Sequence, residues 1–291
     1  MGTVIDGLHV IRGTWRNRRS ALHLAVAAAK GCLVHAGAVS AELDLLINAG
    51  IYRDRNLGEP ALAAIIQDDI GANPEDPHSD AHGTFSFDIA NGACGVLTAL
   101  QIADGFLRSH TISRALIVAS DADPGHGRSE RFPFSPAGAA LLCTWSDNND
   151  GLGKVYWTSL PDDGENLRAT ITFDERRNVL HFHESAALDD KLAAAGARVA
   201  LSCLGEAALN LSDVAGIVAA PAHRRYRAEL AASLGVPVER IAVANDERMH
   251  TAALVAALRE VETMPAGAQI LLIATGAGIV AGAALYCMPA G

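Results

Sequence analysis

The sequence predicts an α/β protein built from two related halves, and three observations carry that prediction. Short apolar runs alternate with longer segments whose apolar residues recur at helical spacing. Half of the 291 residues are apolar and 19% are charged, enough apolar surface for a large layered core. The third is internal echo. "ALIVASDAD" (Ala115 to Asp123) has a partner in "ILLIATGAG" (Ile270 to Gly278), and "AGAALLC" (Ala137 to Cys143) in "AGAALYC" (Ala281 to Cys287). "AGAVSAELDLLINAG" (Ala36 to Gly50) is matched by "AALNLSDVAGIVAAP" (Ala207 to Pro221). Three echoes in one order point to duplicated halves and not to a short-period repeat. The boundary is expected near Arg177 to Ser185, giving halves 1–180 and 181–291.

Leu22, Val26, Ala29 and Leu33 mark a first amphipathic helix. "ELDLLINAG" (Glu42 to Gly50) reads as a strand covered on both faces. "PALAAIIQDDIG" opens at Pro60 and closes at Gly71, the punctuation of a helix. "TFSFDIA", "CGVLTALQIADGFL" and "RALIVASDAD" then form a strand–helix–strand unit. The apolar stripe of its helix, with Val96, Leu97, Leu100, Ala103, Phe106 and Leu107, is too broad for a surface helix and predicts burial in the middle of the molecule.

A net charge of −10 argues against general nucleic-acid binding. Positive charge is local, in Arg12 to Arg19 and in His223 to Arg227, which suits a small anionic partner as well as a solvated face. Five scattered cysteines without a CxxC read as reduced thiols of a cytoplasmic protein. No secretory opening and no apolar run long enough to span a membrane is expected. The histidines of "HFHE" (His181 to Glu184) and "HSDAH" (His78 to His82) have no third motif at zinc spacing, so no metal is expected. "ATGAGIVAG" leads into a strand pattern, not the helix that a dinucleotide fingerprint needs.

Cys94 falls where strand gives way to helix, flanked by Gly92 and Gly95. A thiol there faces unpaired N–H groups and the positive end of the helix, which favours thiolate. Free cysteines are also among the most buried residues, so position alone leaves a nucleophile and a small core residue equally open.

"FDIANGACGVLTALQIADGFL" followed by "RALIVASD" resembles the nucleophile region of the ketoacyl synthase III enzymes of the thiolase superfamily. "LVHAGAVSAELDLLINAG", "FPFSPAGAALL", "LAASLGVPVERI" and "PAGAQILLIATGAGIVAGAALY" resemble further segments of that family, across nearly the whole chain. The resemblance implies a thiolase fold, two duplicated α/β halves forming a five-layered αβαβα sandwich. It implies a cytoplasmic acyltransferase or condensing enzyme of fatty acid or polyketide biosynthesis. Cys94 would be acylated from an acyl-CoA or acyl-carrier-protein thioester, with no further cofactor, and the acyl group passed to a second thioester.

On the same footing His223 and His250 are the catalytic imidazoles, and the backbone near Ala277 and Gly278 holds the oxyanion. Trp15 and Arg18, with Arg224 and Arg225, are the candidates for the carrier's phosphates. "LINAGIYRDRNLGEPALAAIIQ" (Leu46 to Gln67) is similar to head-to-head acyl-condensing thiolases, in which a glutamate matching Glu59 serves the partner's site across a dimer interface. A first-turn glutamate favoured by the helix dipole is the alternative for Glu59. The strand "FSFDIAN" is where family members pair across the two-fold axis, so a homodimer or a heterodimer with a second thiolase-fold chain is expected.

The motifs depart from the family at three points. An ungapped match puts Ala93 in the nucleophile slot, and a one-residue shift restores Cys94. Ala220 occupies the ungapped histidine slot, with His223 displaced, and His250 stands where the family has asparagine. The departures leave a rearranged site or a retired one: a catalytically degenerate partner subunit, or an acyltransferase that makes esters or amides.

Overall fold

In the computed structural model, residues 1–14, 20–73, 83–125, 127–174 and 176–289 are described, with residues 162–164 by backbone alone. In chain order the elements are β1 (Gly2–Arg12), α1 (Ala21–His35), β2 (Leu45–Asn48), α2 (Leu62–Ile70), β3 (Phe85–Asp88), α3 (Gly95–Arg108), β4 (Ala115–Asp121) and β5 (Ala137–Ser146). There follow β6 (Gly151–Leu152), β7 (Tyr156–Ser159), β8 (Leu167–Asp174), β9 (Arg177–Glu184), α4 (Leu188–Glu206), β10 (Gly216–Ala220), α5 (Arg224–Leu234), β11 (Ile241–Ala242), α6 (Ala253–Leu258), β12 (Gln269–Gly276) and β13 (Val280–Cys287).

The first sheet runs β1-β5-β4-β2-β3 and the second β11-β10-β12-β13-β6, with β7 also on β13. The echoed segments occupy matching places: β4 with β12, β5 with β13, β2 with β10. Each sheet therefore has three parallel strands at one side and an antiparallel addition at the other.

Alternation along the strands explains the layering. On β4, Ala115, Ile117 and Ala119 face the central core, while Leu116 and Val118 face the core under α1 and α2. On β12, Ile270, Leu272 and Ala274 join the same central core, and Leu271 and Ile273 pack under α4 and α5. α3 and α6 fill the space between the sheets; all six residues of α6 are buried. The order is helix, sheet, helix, sheet, helix, the expected five-layered αβαβα sandwich.

Local chemistry fixes the ends that matter for the site. Ser20 caps α1 by accepting from His23 N, and Asp54 accepts from both Ser20 Oγ and Ala21 N. Asp88, at the end of β3, accepts from Leu62 N and Ala63 N at 2.8 Å each, so a strand carboxylate satisfies the open donors of α2. At α3 a Cβ on Gly95 would stand 3.1 Å from Ala49 O, so glycine lets the buried helix start against β2's end.

The expected division at 180/181 is corrected by strand pairing. β6 and β7 precede that point, yet both pair with β13 of the second sheet. The chain crosses between sheets after Ser146 and before Gly151. These strands are two and four residues long, so their periodicity could not say which sheet they join. β8 and β9 form a two-stranded hairpin of their own. Among the described residues no helix is long and apolar enough to cross a membrane.

Candidate active site

A cavity of about 680 Å³ opens beyond the carboxyl ends of the parallel strands of both sheets. Its walls come from the loop after β2 (Ile51 to Gly58), the turn after β3 (Ala90 to Ala93), Pro221 and His223 after β10, Met249 and His250 before α6, and Thr275 to Gly278 at the β12–β13 turn. The β8–β9 hairpin closes one side with Leu167, Ile171, Leu180 and Phe182.

The thiol expected at this wall is not there. Cys94 is wholly buried, and its Sγ donates to Val280 O at 3.6 Å. A Cβ on Gly276 would lie 3.4 Å from that sulfur, so Cys94 packs against β12, and it is Ala93 that lines the cavity. Burial pushes the Cys94 thiol up to about 12. A helix N-terminus offers about 2 kcal/mol at most, against a penalty of several kcal/mol for an ion taken out of water. Burial wins, which corrects the expectation of an activated thiolate. Ala93, which the ungapped match puts in the nucleophile slot, is thus the residue on the cavity wall.

Both imidazoles do reach the cavity. His223 occupies the N-cap position of α5, and its Nδ1 donates to Asp189 Oδ1 of α4 at 2.9 Å. That hydrogen bond, partly opposed by burial and reinforced by the charges of Asp189, Glu184 and Glu247, holds its pKa above the usual histidine value. His250 presents Nε2 beside Gly92; a Cβ on that glycine, whose φ is +51°, would be 3.5 Å away. Its Nδ1 lies 3.3 Å from Asp121 Oδ2 but off the hydrogen-bonding direction, an electrostatic contact.

Asp121 ends β4, is 2% exposed and accepts from Thr251 N at 2.8 Å, Thr251 Oγ1 at 2.6 Å and Tyr52 N at 3.1 Å. Burial works against its charge, but the neighbouring His250 and the Thr251 donors outweigh it and hold its pKa below the ordinary carboxylate range. Aromatic rings complete the support of His250. Phe134 stacks on it with centroids 4.1 Å apart and planes 19° apart; Tyr52 lies 5.4 Å from it and 5.2 Å from both Phe134 and Phe182.

Ala277 and Gly278 also line the cavity, in the turn where Gly278 has φ +77°. Glu59 is exposed and does not line it, although Leu57 and Gly58 just before it do. The expectation for Arg224 and Arg225 is corrected: both are exposed and neither lines the cavity. Arg225 donates twice to Asp190, by Nε at 2.9 Å and Nη2 at 2.7 Å, while Arg224 pairs with Glu247 at a separate cavity of about 600 Å³. Their first-turn positions send them to carboxylates at the surface. Trp15 and Arg18 lie outside the described residues, as does "HSDAH". Among the described residues no group of three or more His, Cys, Asp or Glu is placed to hold a metal.

Sequence reading missed Asp121, Asp189 and the wall of Tyr52, Phe134 and Phe182. One signal was present: "ALIVASD" is an otherwise buried strand that ends in a carboxylate, which needs a partner.

No protein-family model matches the chain. Beta-ketoacyl-(acyl-carrier-protein) synthase III of Rhizorhabdus wittichii is 26% identical over 289 residues, covering 90% of this chain and 82% of that protein. The solved 3-oxoacyl-(acyl-carrier-protein) synthase III from Aquifex aeolicus VF5 superposes with a TM-score of 0.81 at 21% identity, over 98% of this chain and 100% of its own. A variant of Xanthomonas campestris OleA with bound lauric acid and lauroyl-CoA gives 0.79 at 18% identity, over 99% of each chain. With the duplicated five-layered sandwich and the cavity at its strand ends, the chain shares the fold of these solved synthases and is similar in sequence, along most of its length, to beta-ketoacyl-(acyl-carrier-protein) synthase III proteins.

Proposed function

We propose that the chain is an acyltransferase that moves an acyl group directly from a bound thioester to an acceptor, without an acyl-cysteine. The observation that carries this reading is the wall itself: a methyl group at Ala93, beside two imidazoles that are each backed by a carboxylate. A thioester lies with its carbonyl carbon over Ala93 and its oxygen toward the backbone of Gly276 to Gly278, which receives the developing negative charge. One imidazole removes the proton of the attacking acceptor; the departing thiolate is then protonated from the imidazolium. Asp189 holds the His223 ring by its hydrogen bond and stabilises its charged form, while Asp121 faces Nδ1 of His250, whose Nε2 lies beside Gly92. The donor is an acyl-CoA or acyl-carrier-protein thioester, as the names of the related proteins suggest, and the apolar wall of Leu180, Phe182, Leu188 and Leu192 takes the acyl chain.

The test combines intact-protein mass with thiol release. Incubation with acyl-CoA donors is expected to leave the protein mass unchanged while coenzyme A appears in the presence of an alcohol or amine acceptor. His223→Ala is expected to slow that release at least 100-fold, in line with the contribution of a positioned base, about 10²–10⁴-fold. A stable acyl adduct on the native chain would sink the proposal.

A second reading is a partner subunit that completes a thiolase-fold chain bearing its own nucleophile. It is favoured by the edge strand β3, whose Phe85 is 58% exposed, and by Glu59 standing outside its own cavity. Turnover by the isolated chain decides between the two.

A further inference from the structure

The polar groups on the cavity wall differ in whether they are already paired. Arg53 is held by Asp88 at 3.0 Å, and Arg168 is paired with Glu165. Asn56 donates to the carbonyls of Arg128 and Asn178. Glu184, at the end of β9, lines the same cavity, and among the described residues its carboxylate has no hydrogen-bond or ion-pair partner. It shares that wall with His223, whose Nδ1 Asp189 contacts, and its charge, with those of Asp189 and Glu247, favours the charged form of that ring. The wall that carries His223 therefore also carries one exposed carboxylate without an ion-pair partner among the described residues, that of Glu184. A second substrate bearing a carboxylate, such as a malonyl thioester, meets repulsion there, and a cation meets attraction.

We propose that the acceptor is a primary amine, with its ammonium received by Glu184 and its proton removed by the His223 imidazole. This inference rests on the direct-transfer reading above and names its acceptor. His223 takes one proton from the ammonium, leaving the nitrogen lone pair free. That pair forms a C–N bond at the thioester carbonyl, the C–S bond breaks with its electrons on sulfur, and the thiolate takes the proton back from His223. The second proton of the attacking nitrogen leaves to solvent. The products are an amide, a free thiol and one proton, and no oxidant or other reactant is required. An unpaired carboxylate on the same cavity wall as the base separates an amine site from a merely acidic surface, because it draws the charge of the acceptor into the cavity that holds the group that must deprotonate it.

The experiment gives the full chain octanoyl-CoA with three acceptors in parallel: 1,4-diaminobutane, 1,4-butanediol and malonyl-CoA. The expected result is N-octanoyl diaminobutane as the main product, with kcat/KM at least tenfold above that for the diol. Glu184→Gln is expected to lower the diamine-to-diol ratio at least tenfold, and Glu184→Asp to restore most of it. A ratio unchanged in Glu184→Gln, or a main product formed with malonyl-CoA, overturns the inference. Coenzyme A release with the diol alone also overturns it while leaving direct acyl transfer standing. Release with none of the three overturns both.

Discussion

Ala93 lines the cavity, while the sulfur of Cys94, the next residue, is fully buried 3.6 Å from Val280 O. Strand β3 passes into α3 through one 3₁₀ turn over Gly92–Cys94, and one step along that turn separates the substrate wall from the core. Two substitutions read the consequence in opposite directions. Cys94→Ala removes a packed sulfur and is expected to cost about 1 kcal/mol of stability in denaturant titration, with thioester turnover within twofold of the native rate. Ala93→Cys places a thiol on the wall beside His250 and is expected to gain one acyl adduct from octanoyl-CoA by intact mass. Loss of turnover in Cys94→Ala without loss of folding would return the nucleophile to that residue.

Asp121, buried behind His250, ties distant parts of the chain together, since it accepts from Tyr52 N and from the N and Oγ1 of Thr251. Asp121→Asn keeps the shape but removes the charge facing His250 Nδ1. It is expected to lower kcat between tenfold and 100-fold with little change in KM. Stability is expected to fall by about 1–3 kcal/mol, the range for a buried donor left without its acceptor. In the native chain this carboxylate titrates below its ordinary value, so its contribution is present at neutral pH and is lost as pH falls through that depressed value. Thermal unfolding followed from pH 7 to pH 3 is expected to show less loss in Asp121→Asn than in the native protein.

The fold was legible because the features that specify it are repeated along the chain. The apolar runs at Ala115 to Asp123 and Ile270 to Gly278 announced matching strands, and those strands hold matching places in two sheets. The division between halves was harder. β6 and β7 are short, and their place is set by β13, far away in sequence. At the site, His223 and His250 could be named from motifs, but their carboxylates could not. Asp189 lies on a helix and Asp121 on a strand, and only folding brings each to an imidazole. Cys94 misled for a related reason: chemistry at a helix start depends on which way one residue points, and a single-residue shift in a 3₁₀ turn reverses it. The arginines at 224 and 225 failed because basic charge near a candidate histidine says nothing about which carboxylates will claim it.

The His223–Asp189 pair sets a pH dependence whose sign can be worked out. The hydrogen bond from Asp189 raises the imidazole's pKa above 6.5, so the neutral base appears only as pH climbs through that raised value. Turnover governed by His223 should therefore rise along an alkaline-shifted limb. Asp189→Asn removes the charge and moves this limb toward acid, by a distance readable in kcat/KM profiles between pH 5 and pH 9. A limb that stays in place would remove His223 from the proton-transfer step. The same pair stabilises the fold most fully below pH 6.5, and that contribution fades as pH rises through the native value.

Among the described residues β3 has no neighbour on one edge of the first sheet, and Phe85 is exposed on it with its ring 5.3 Å from that of Phe87. An open edge with exposed aromatic rings pairs readily with another strand. A chain that dimerises there should lose that contact when a charge is placed on it. Phe85→Asp is expected to convert a dimer to a monomer at micromolar concentration by light scattering, with the far-ultraviolet spectrum unchanged because β3 keeps its pairing with β2. Glu59 lies outside its own cavity, so an action on a partner's cavity requires the dimer. Glu59→Gln should then slow turnover of the dimer, and have no further effect once Phe85→Asp has separated the chains. An additional loss in the double variant would place Glu59 in service of its own subunit.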